Sequence, residues 1–346
     1  MGVFSSNGIS IDMGSTNVTI CLENEGVVLR EPSYVLSLRD DPDNVLAVGR
    51  DARQMLGRTP KDVALMNPLQ GGAVTDIGLA AVLLQTLAEK AIGRRRALEK
   101  SRVVVTTSQG ATRVERAALE EVVRASGAKR AAILRTTAAA AVGAGMAIGG
   151  PRGCMVVDIG GETTEIGVLS LNGIVAARSM RTGSDALDEA IMRAMRREKN
   201  LIIGQRTAED LKIDLGTVNP EAVRHAEVVL LRGRDAGTGK PTTVEITAAD
   251  IHRAILPTVE NLLESIREAF ENIPADLAGD ILEDGLRLTG GGAQVDGLPQ
   301  RLSELLGLPV HVGEAPQDEV ALGACVTAAD DKLALRLEQT GCLTEL

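Results

Sequence analysis

The chain has 346 residues, 44% of them hydrophobic, which is enough for two ordinary domains with separate cores and excludes a small disulfide- or metal-stapled module. Lys and Arg number 37 against 47 Asp and Glu, a formal charge of −10, and Trp is absent beside one Tyr and two Phe. A nucleic-acid binder needs a basic face and stacking rings, so no nucleic-acid partner is expected and the cores must be built from Ala, Val, Leu, Ile and Met. Cys21, Cys154, Cys325 and Cys342 are far apart, form no CxxC pair and follow no secretory leader, which suggests a reducing, cytoplasmic setting. His225, His252 and His311 are equally scattered, which disfavours a His/Cys zinc site. No apolar run approaches the roughly 20 residues of a spanning helix. The opening Met1-Gly2-Val3-Phe4-Ser5-Ser6 fits a myristoylation pattern only formally.

In chain order, Ile9-Ser10-Ile11-Asp12-Met13-Gly14 reads as a strand entering an Asp-x-Gly turn; a strand over 17–22, the turn Asn24-Glu25-Gly26 and a strand over 27–29 follow. The β-branched run Val103-Val104-Val105-Thr106 predicts a buried strand, and 112–126 has helical periodicity ending at Gly127. Residues 137–146 predict an Ala-rich helix with close-packing glycines, and Gly149-Gly150-Pro151 breaks the chain. There the opening meander repeats. Met155-Val156-Val157-Asp158-Ile159-Gly160 leads to strands over 164–169 and 174–176 joined by Asn172-Gly173. Helices over 185–197 and 207–215, a polar hairpin or loop over 233–241, and a Thr247-capped helix over 248–271 come next. The strand 285–289 runs into Gly290-Gly291-Gly292, and 298–306 is a further helix. Two halves opening on the same meander predict an α/β fold of two related domains facing one another, with a boundary near residue 150.

An Asp at a strand end followed by a tight Gly turn with hydroxyls suits a magnesium–polyphosphate: glycine permits close backbone approach, N–H groups and hydroxyls donate to phosphate, and the carboxylate holds the metal. One such hairpin is an ordinary turn. Two of them, Asp12-Met13-Gly14-Ser15-Thr16-Asn17 and Asp158-Ile159-Gly160-Gly161-Glu162-Thr163, could clamp one phosphate chain from opposite sides, with adenosine against the bare backbone of Gly290-Gly291-Gly292.

This constellation resembles the superfamily of actin, sugar kinases and heat-shock chaperone ATPases, and within it the MreB-like bacterial actin homologues. Further matching segments are Val45-Leu46-Ala47-Val48-Gly49, Met55-Leu56-Gly57-Arg58-Thr59-Pro60, Val114-Glu115-Arg116, Ala139-Ala140-Ala141-Val142-Gly143-Ala144-Gly145, Ser170-Leu171-Asn172-Gly173 and Arg206-Thr207-Ala208-Glu209. Segments such as 55–60 have no catalytic logic, so they favour this family over a generic kinase. The resemblance implies an actin-like fold: a first lobe over 1–150, with a small subdomain about 36–68 and completion by a C-terminal helix over 320–346, and a second lobe over 151–319, with a small subdomain about 185–246. It implies ATP or ADP with Mg2+ between them. Asp12 and Asp158 would sit at the metal, and Gly14, Ser15, Thr16, Asn17, Gly160, Gly161, Glu162 and Thr163 at the phosphates. Glu209 and Lys212 would reach the ribose and base, and Gly290 and Gly291 would flank the adenosine. Without the family, Glu209 and Lys212 read as an ion pair on a solvated helix face.

Two departures bear on catalysis. Where the family has the glutamate that orients the attacking water, this chain has Thr136, whose hydroxyl can hold water but is no base near neutral pH. Where the family hairpin has a third glycine, this chain has Glu162, whose carboxylate ~4 Å from a phosphate oxygen would cost on the order of 1–4 kcal/mol unless offset. Either Glu162 turns to the metal or water and takes over part of the missing glutamate's task, or it points into the γ-phosphate space and the protein binds diphosphate or nothing. The hairpin's usual Thr-Ala has also become Ser15-Thr16. Weak or slow ATP hydrolysis is therefore expected.

The family resemblance implies homopolymer filaments that organise cell shape and cell-wall synthesis at the bacterial inner membrane. The alternative is a degenerate, non-hydrolysing scaffold or regulator that does not polymerise by itself. Candidate partners are other copies of the chain, inner-membrane lipid and cell-shape proteins. Lipid contact would rest on Val3 and Phe4 or on the loop Gly93-Arg94-Arg95-Arg96-Ala97-Leu98-Glu99, whose bland reading is a solvated basic loop. A sugar kinase would need a base facing a sugar pocket, and a chaperone-type ATPase a further substrate domain beyond residue 346; neither is expected.

Overall fold

The computed structural model describes residues 8–223 and 228–346. The myristoylation-like opening, Val3, Phe4 and His225 lie outside these. Two mixed sheets form the frame. The first has the order Gly26–Pro32, Asn17–Leu22, Gly8–Met13, Arg102–Thr107, Ala131–Arg135 and Leu343–Glu345 reversed, so the opening meander is one flank and a parallel core follows it. The second is its counterpart, running Gly173–Met180, Thr164–Ser170, Cys154–Ile159, Leu286–Thr289 and Val310–Val312.

The predicted repeat is thus a repeat of registers. Asp12 lies opposite Thr19 and Asp158 opposite Glu165 in the antiparallel hairpins, each one or two residues from its turn. On its other side Asp158 pairs in parallel with Thr289, which brings the Gly290 turn beside it. The central strands are buried on both faces, as their unbroken apolar runs require: Val103, Val104, Val105, Met155, Val156 and Val157 are fully enclosed.

Between the two sheets lies a helix pair, Thr136–Gly143 against Glu319–Ala329. Their backbones touch: a side chain at Gly143 would overlap the Glu319 carbonyl oxygen, and one at Gly323 the Ala139 carbonyl oxygen. One apolar cluster joins Val104 and Leu134 of the first sheet to Val156 and Leu169 of the second through Ala138–Ala141 and Ala324. The alanine-rich sequence therefore sets the spacing of the two halves.

Two three-stranded sheets stand apart from this frame, Val35–Leu38 with Val45–Val48 and Val63–Met66, and Leu201–Ile202 with Val229–Asp235 and Pro241–Ile246. The last two strands form the hairpin read from the polar stretch 233–241. Predicted helices occur at Arg113–Ala125, Asp185–Glu198, Gln205–Leu215, Ala248–Glu271 and Leu298–Leu306. Thr112 and Thr247 both head reciprocal capping boxes, which fixes where their helices start.

The single helix expected over 320–346 is corrected. The segment is two helices, Glu319–Ala329 and Asp331–Gln339, and a final strand. Asp330 leaves the helical conformation and accepts from the N–H groups of Lys332 and Leu333, restarting the helix. Gly341, at φ +75°, turns the chain so that Leu343–Glu345 pairs antiparallel with Ala131–Arg135. Helix Ile77–Ile92 was not anticipated, although Leu79, Leu83 and Leu87 bury one face at four-residue spacing. Among the described residues no helix is long and apolar enough to cross a membrane.

Candidate functional site

The two Asp-x-Gly hairpins face each other across a cleft of about 420 Å³. Its lining contains all the residues singled out in the sequence: Asp12 and the turn Gly14 to Asn17, Thr136, Asp158 and the turn Gly160 to Thr163, Glu209, Lys212, Gly290 and Gly291. Elements more than a hundred residues apart converge here, since both meanders end their first strand at this cleft.

The turns are built from backbone. At Gly14 a Cβ would lie 2.8 Å from the Asn17 carbonyl oxygen, so only glycine fits the first turn unstrained. The Ser33 hydroxyl donates to the Gly14 carbonyl at 2.6 Å, and Asn67 Nδ2 to the Ser15 carbonyl at 2.7 Å. In the second turn Gly160 N donates to the Thr163 carbonyl at 2.8 Å. The N–H groups of Ser184 and Asp185 donate back to the carbonyls of Gly160 and Gly161 at 2.9 and 2.8 Å, which docks the hairpin on the start of helix Asp185–Glu198. Gly290, at φ +83°, passes so close to Asp158 that a Cβ would lie 2.6 Å from its carboxylate, whereas a Cβ at Gly291 would meet nothing within 4 Å. The backbone at Gly291 is therefore open to a flat group lying against it.

The acids at the base of the cleft are strongly desolvated. Burial raises the Asp12 carboxyl above the usual carboxylate range, opposed by the Thr106 hydroxyl, which donates to Asp12 Oδ1 at 2.5 Å. Asp158 is pushed up to about 8, first by burial and then by the charges of Asp12, Glu165 and Glu319. Two buried carboxylates that repel each other fit a divalent cation, which would relieve both. No group of three or more His, Cys, Asp or Glu is placed to hold a metal among the described residues. Two carboxylates alone would leave most of a cation's shell to other donors, such as phosphate and water.

The predicted phosphate contacts are partly engaged by the protein itself. Thr16 Oγ1 donates to Asp185 Oδ2 at 3.2 Å across the cleft. Glu162 reaches the other way, its carboxylate accepting from the backbone N–H of Gly71. The Thr136 hydroxyl, at the first turn of its helix, donates to the Thr107 carbonyl at 2.9 Å. Glu209 and Lys212 lie on the cleft wall but do not pair with each other. Glu209 pairs with Arg53 of the opposite half, and Lys212 with Asp188 at 3.0 Å and the Ser184 carbonyl at 3.3 Å. Burial pushes the Asp188 carboxyl up to about 6 despite the Lys212 ammonium beside it.

Several site residues escaped sequence reasoning. Glu165 is buried in the wall, raised by desolvation, and accepts from the hydroxyls of Ser108 at 2.5 Å and Ser179 at 2.8 Å and from Gln109 N at 3.2 Å. It thereby ties the second meander to the end of strand Arg102–Thr107. The Gly71–Gly72 turn, between the short strands Leu69–Gln70 and Ala73–Val74, brings Gly72 to the cleft lining. Its adjacent glycines were the available signal.

The family model described as MreB/Mbl protein matches residues 6–335. The cell shape-determining protein Mbl of Bacillus subtilis is 39% identical over 329 residues, 95% of this chain and 98% of that protein. The cell shape-determining protein MreB of Escherichia coli is 40% identical over 327 residues, 93% of each. Among solved structures, MreB5 of Spiroplasma citri bound to AMPPNP superposes with a TM-score of 0.88 at 29% identity, covering 97% of this chain and 99% of that one. The ADP-bound form gives 0.87. A MamK double helical filament subunit, TM-score 0.75 at 19% identity, shares the fold. A match over this length, with the two-lobed architecture and a cleft between paired hairpins, places the chain in the MreB/Mbl family of actin-like proteins.

Proposed function

We propose that the chain is a nucleotide-binding cytoskeletal subunit that assembles into filaments and helps determine cell shape, with hydrolysis slow or weak. The carrying observation is the convergence of both Asp-x-Gly hairpins and the open Gly291 backbone on one cleft. Asp12 and Asp158 would hold Mg2+, which neutralises polyphosphate charge; the turns Gly14 to Asn17 and Gly160 to Thr163 would bind phosphates; Gly290, Gly291, Glu209 and Lys212 would flank the nucleoside. Relatives named as cell shape-determining, and a relative crystallised with AMPPNP and ADP, support this reading.

A ligand seated between two lobes favours the conformation that brings them together, so nucleotide state sets the shape of the subunit. A subunit with unlike faces that stacks head to tail without closing gives a filament. Slow turnover follows from Thr136, whose hydroxyl donates to the Thr107 carbonyl and is too weak a base near neutral pH to take a proton from the attacking water. Inner-membrane lipid and other cell-shape proteins remain proposed partners, with the exposed Arg94-Arg95-Arg96 loop as the lipid-facing candidate. Electron microscopy of the purified protein with ADP, with AMPPNP and without nucleotide tests the reading: filaments whose abundance depends on nucleotide are expected. Single particles under all three conditions would instead favour the non-polymerising scaffold.

A further inference from the structure

Two adjacent backbone N–H groups, of Gly71 and of the cleft-lining Gly72, meet the tips of the hairpins, and the protein fills both. Gly72 N donates to the Ser15 hydroxyl at 3.0 Å and Gly71 N to the Glu162 carboxylate. Neighbouring backbone donors of this kind are what a phosphate oxygen takes. A third donor, the Thr16 hydroxyl, is likewise spent on a carboxylate, that of Asp185. Counter-charge is scarce: among the described residues lining the cleft the basic side chains are Arg30 and Lys212, engaged by Asp318 and Asp188.

We propose that Glu162 is a resident stand-in for the terminal phosphate of a nucleoside triphosphate, and that it makes the cleft selective for a nucleoside diphosphate. Its carboxylate joins the hairpin tip of the second lobe to the Gly71 turn of the first, the bridge that a third phosphate between the lobes would otherwise supply. A diphosphate leaves this bond intact. A triphosphate either breaks it or sets its extra charge beside a carboxylate where the basic side chains are already paired, and at such separations like charges repel strongly. The inference rests on the nucleotide reading above and names the class of nucleotide that site takes.

Calorimetric titration of the full chain with magnesium–ADP and magnesium–AMPPNP reads the preference directly. Parent protein is expected to bind ADP about tenfold or more tighter than AMPPNP. Glu162→Gly, which removes both bridge and charge, and Glu162→Gln, which keeps the shape without the charge, are expected to bring the two affinities together. If the glycine variant does not fold, the glutamine variant carries the comparison. Equal affinity of the parent for both nucleotides, or a preference unchanged in the folded variants, overturns the inference while leaving the nucleotide site standing. Uptake of neither nucleotide by parent or variant overturns the inference together with the reading beneath it.

Discussion

The two hairpins are the same supersecondary unit used unequally. In the first, Asp12 has a hydroxyl partner in Thr106, and the turn residue Thr16 acts as a donor toward the second lobe. In the second, Asp158 faces the acids Asp12, Glu165 and Glu319, and the turn residue Glu162 acts as an acceptor from the first lobe. A duplicated turn therefore supplies one donor and one acceptor, and each crosses the cleft in the opposite direction. Sharing a backbone shape does not impose sharing a chemical task; the residue at the tip decides it.

The largest expected effect tests whether both carboxylates serve one metal. Asp12→Ala and Asp158→Ala should each weaken magnesium–ADP binding by about 100-fold, the loss of one close charge partner. If either change leaves calorimetric affinity intact, the hairpins do not grip a shared ion. Restoring the family's residues in Thr136→Glu, Glu162→Gly should speed phosphate release on the order of 10²-fold, the usual worth of a positioned base. A parent that already turns over as fast as this variant removes the assignment of slow hydrolysis.

The helix under the second hairpin contributes a pH dependence. Asp188 is raised from 3.8 to about 6, mainly by burial, so the folded state holds a proton that the unfolded chain has released. Stability from this group is complete below pH ~4 and declines until about pH 6, by at most about 3 kcal/mol. Denaturant titrations of parent and Asp188→Asn should diverge in slope across that window; parallel curves would show that Lys212 compensates the burial fully. The smallest effect concerns the contact between hairpins. A Cβ at Gly161 would overlap Thr16 Oγ1 and lie 2.9 Å from Thr16 Cβ, so Gly161→Ala should cost about 1–2 kcal/mol in thermal unfolding, with Thr16→Ala, which removes Oγ1 but keeps Cβ, restoring part of it. Additive losses in the double variant would show that the tips do not press on each other.

What could be read in advance was what the chain encodes locally. An apolar run, an Asp-x-Gly turn and a second alternating run specify a hairpin within about 15 residues, so both meanders and the residues at their tips were legible. The Thr247 cap acts within one turn and marked its helix; the Thr112 cap is equally local, although periodicity was what marked that helix. The partners of the tips were not legible. Glu162 meets Gly71, Thr16 meets Asp185 and Arg53 meets Glu209 only after distant segments converge. The charge at 162 could be seen, but its direction depended on a turn 91 residues earlier. At the C-terminus continuous helical sequence hid a break whose cause, Asp330 capping a new helix, is local and readable, and a final strand whose pairing with Ala131–Arg135 is not.

The alanine and glycine seam between Thr136–Gly143 and Glu319–Ala329 has a mechanical consequence. Such residues have no rotamers to freeze or release, so pivoting about the seam carries almost no side-chain entropy. Whatever separates a gaping subunit from a shut one is then left to the handful of polar bonds at the rim, where a change of one charge can tip the balance.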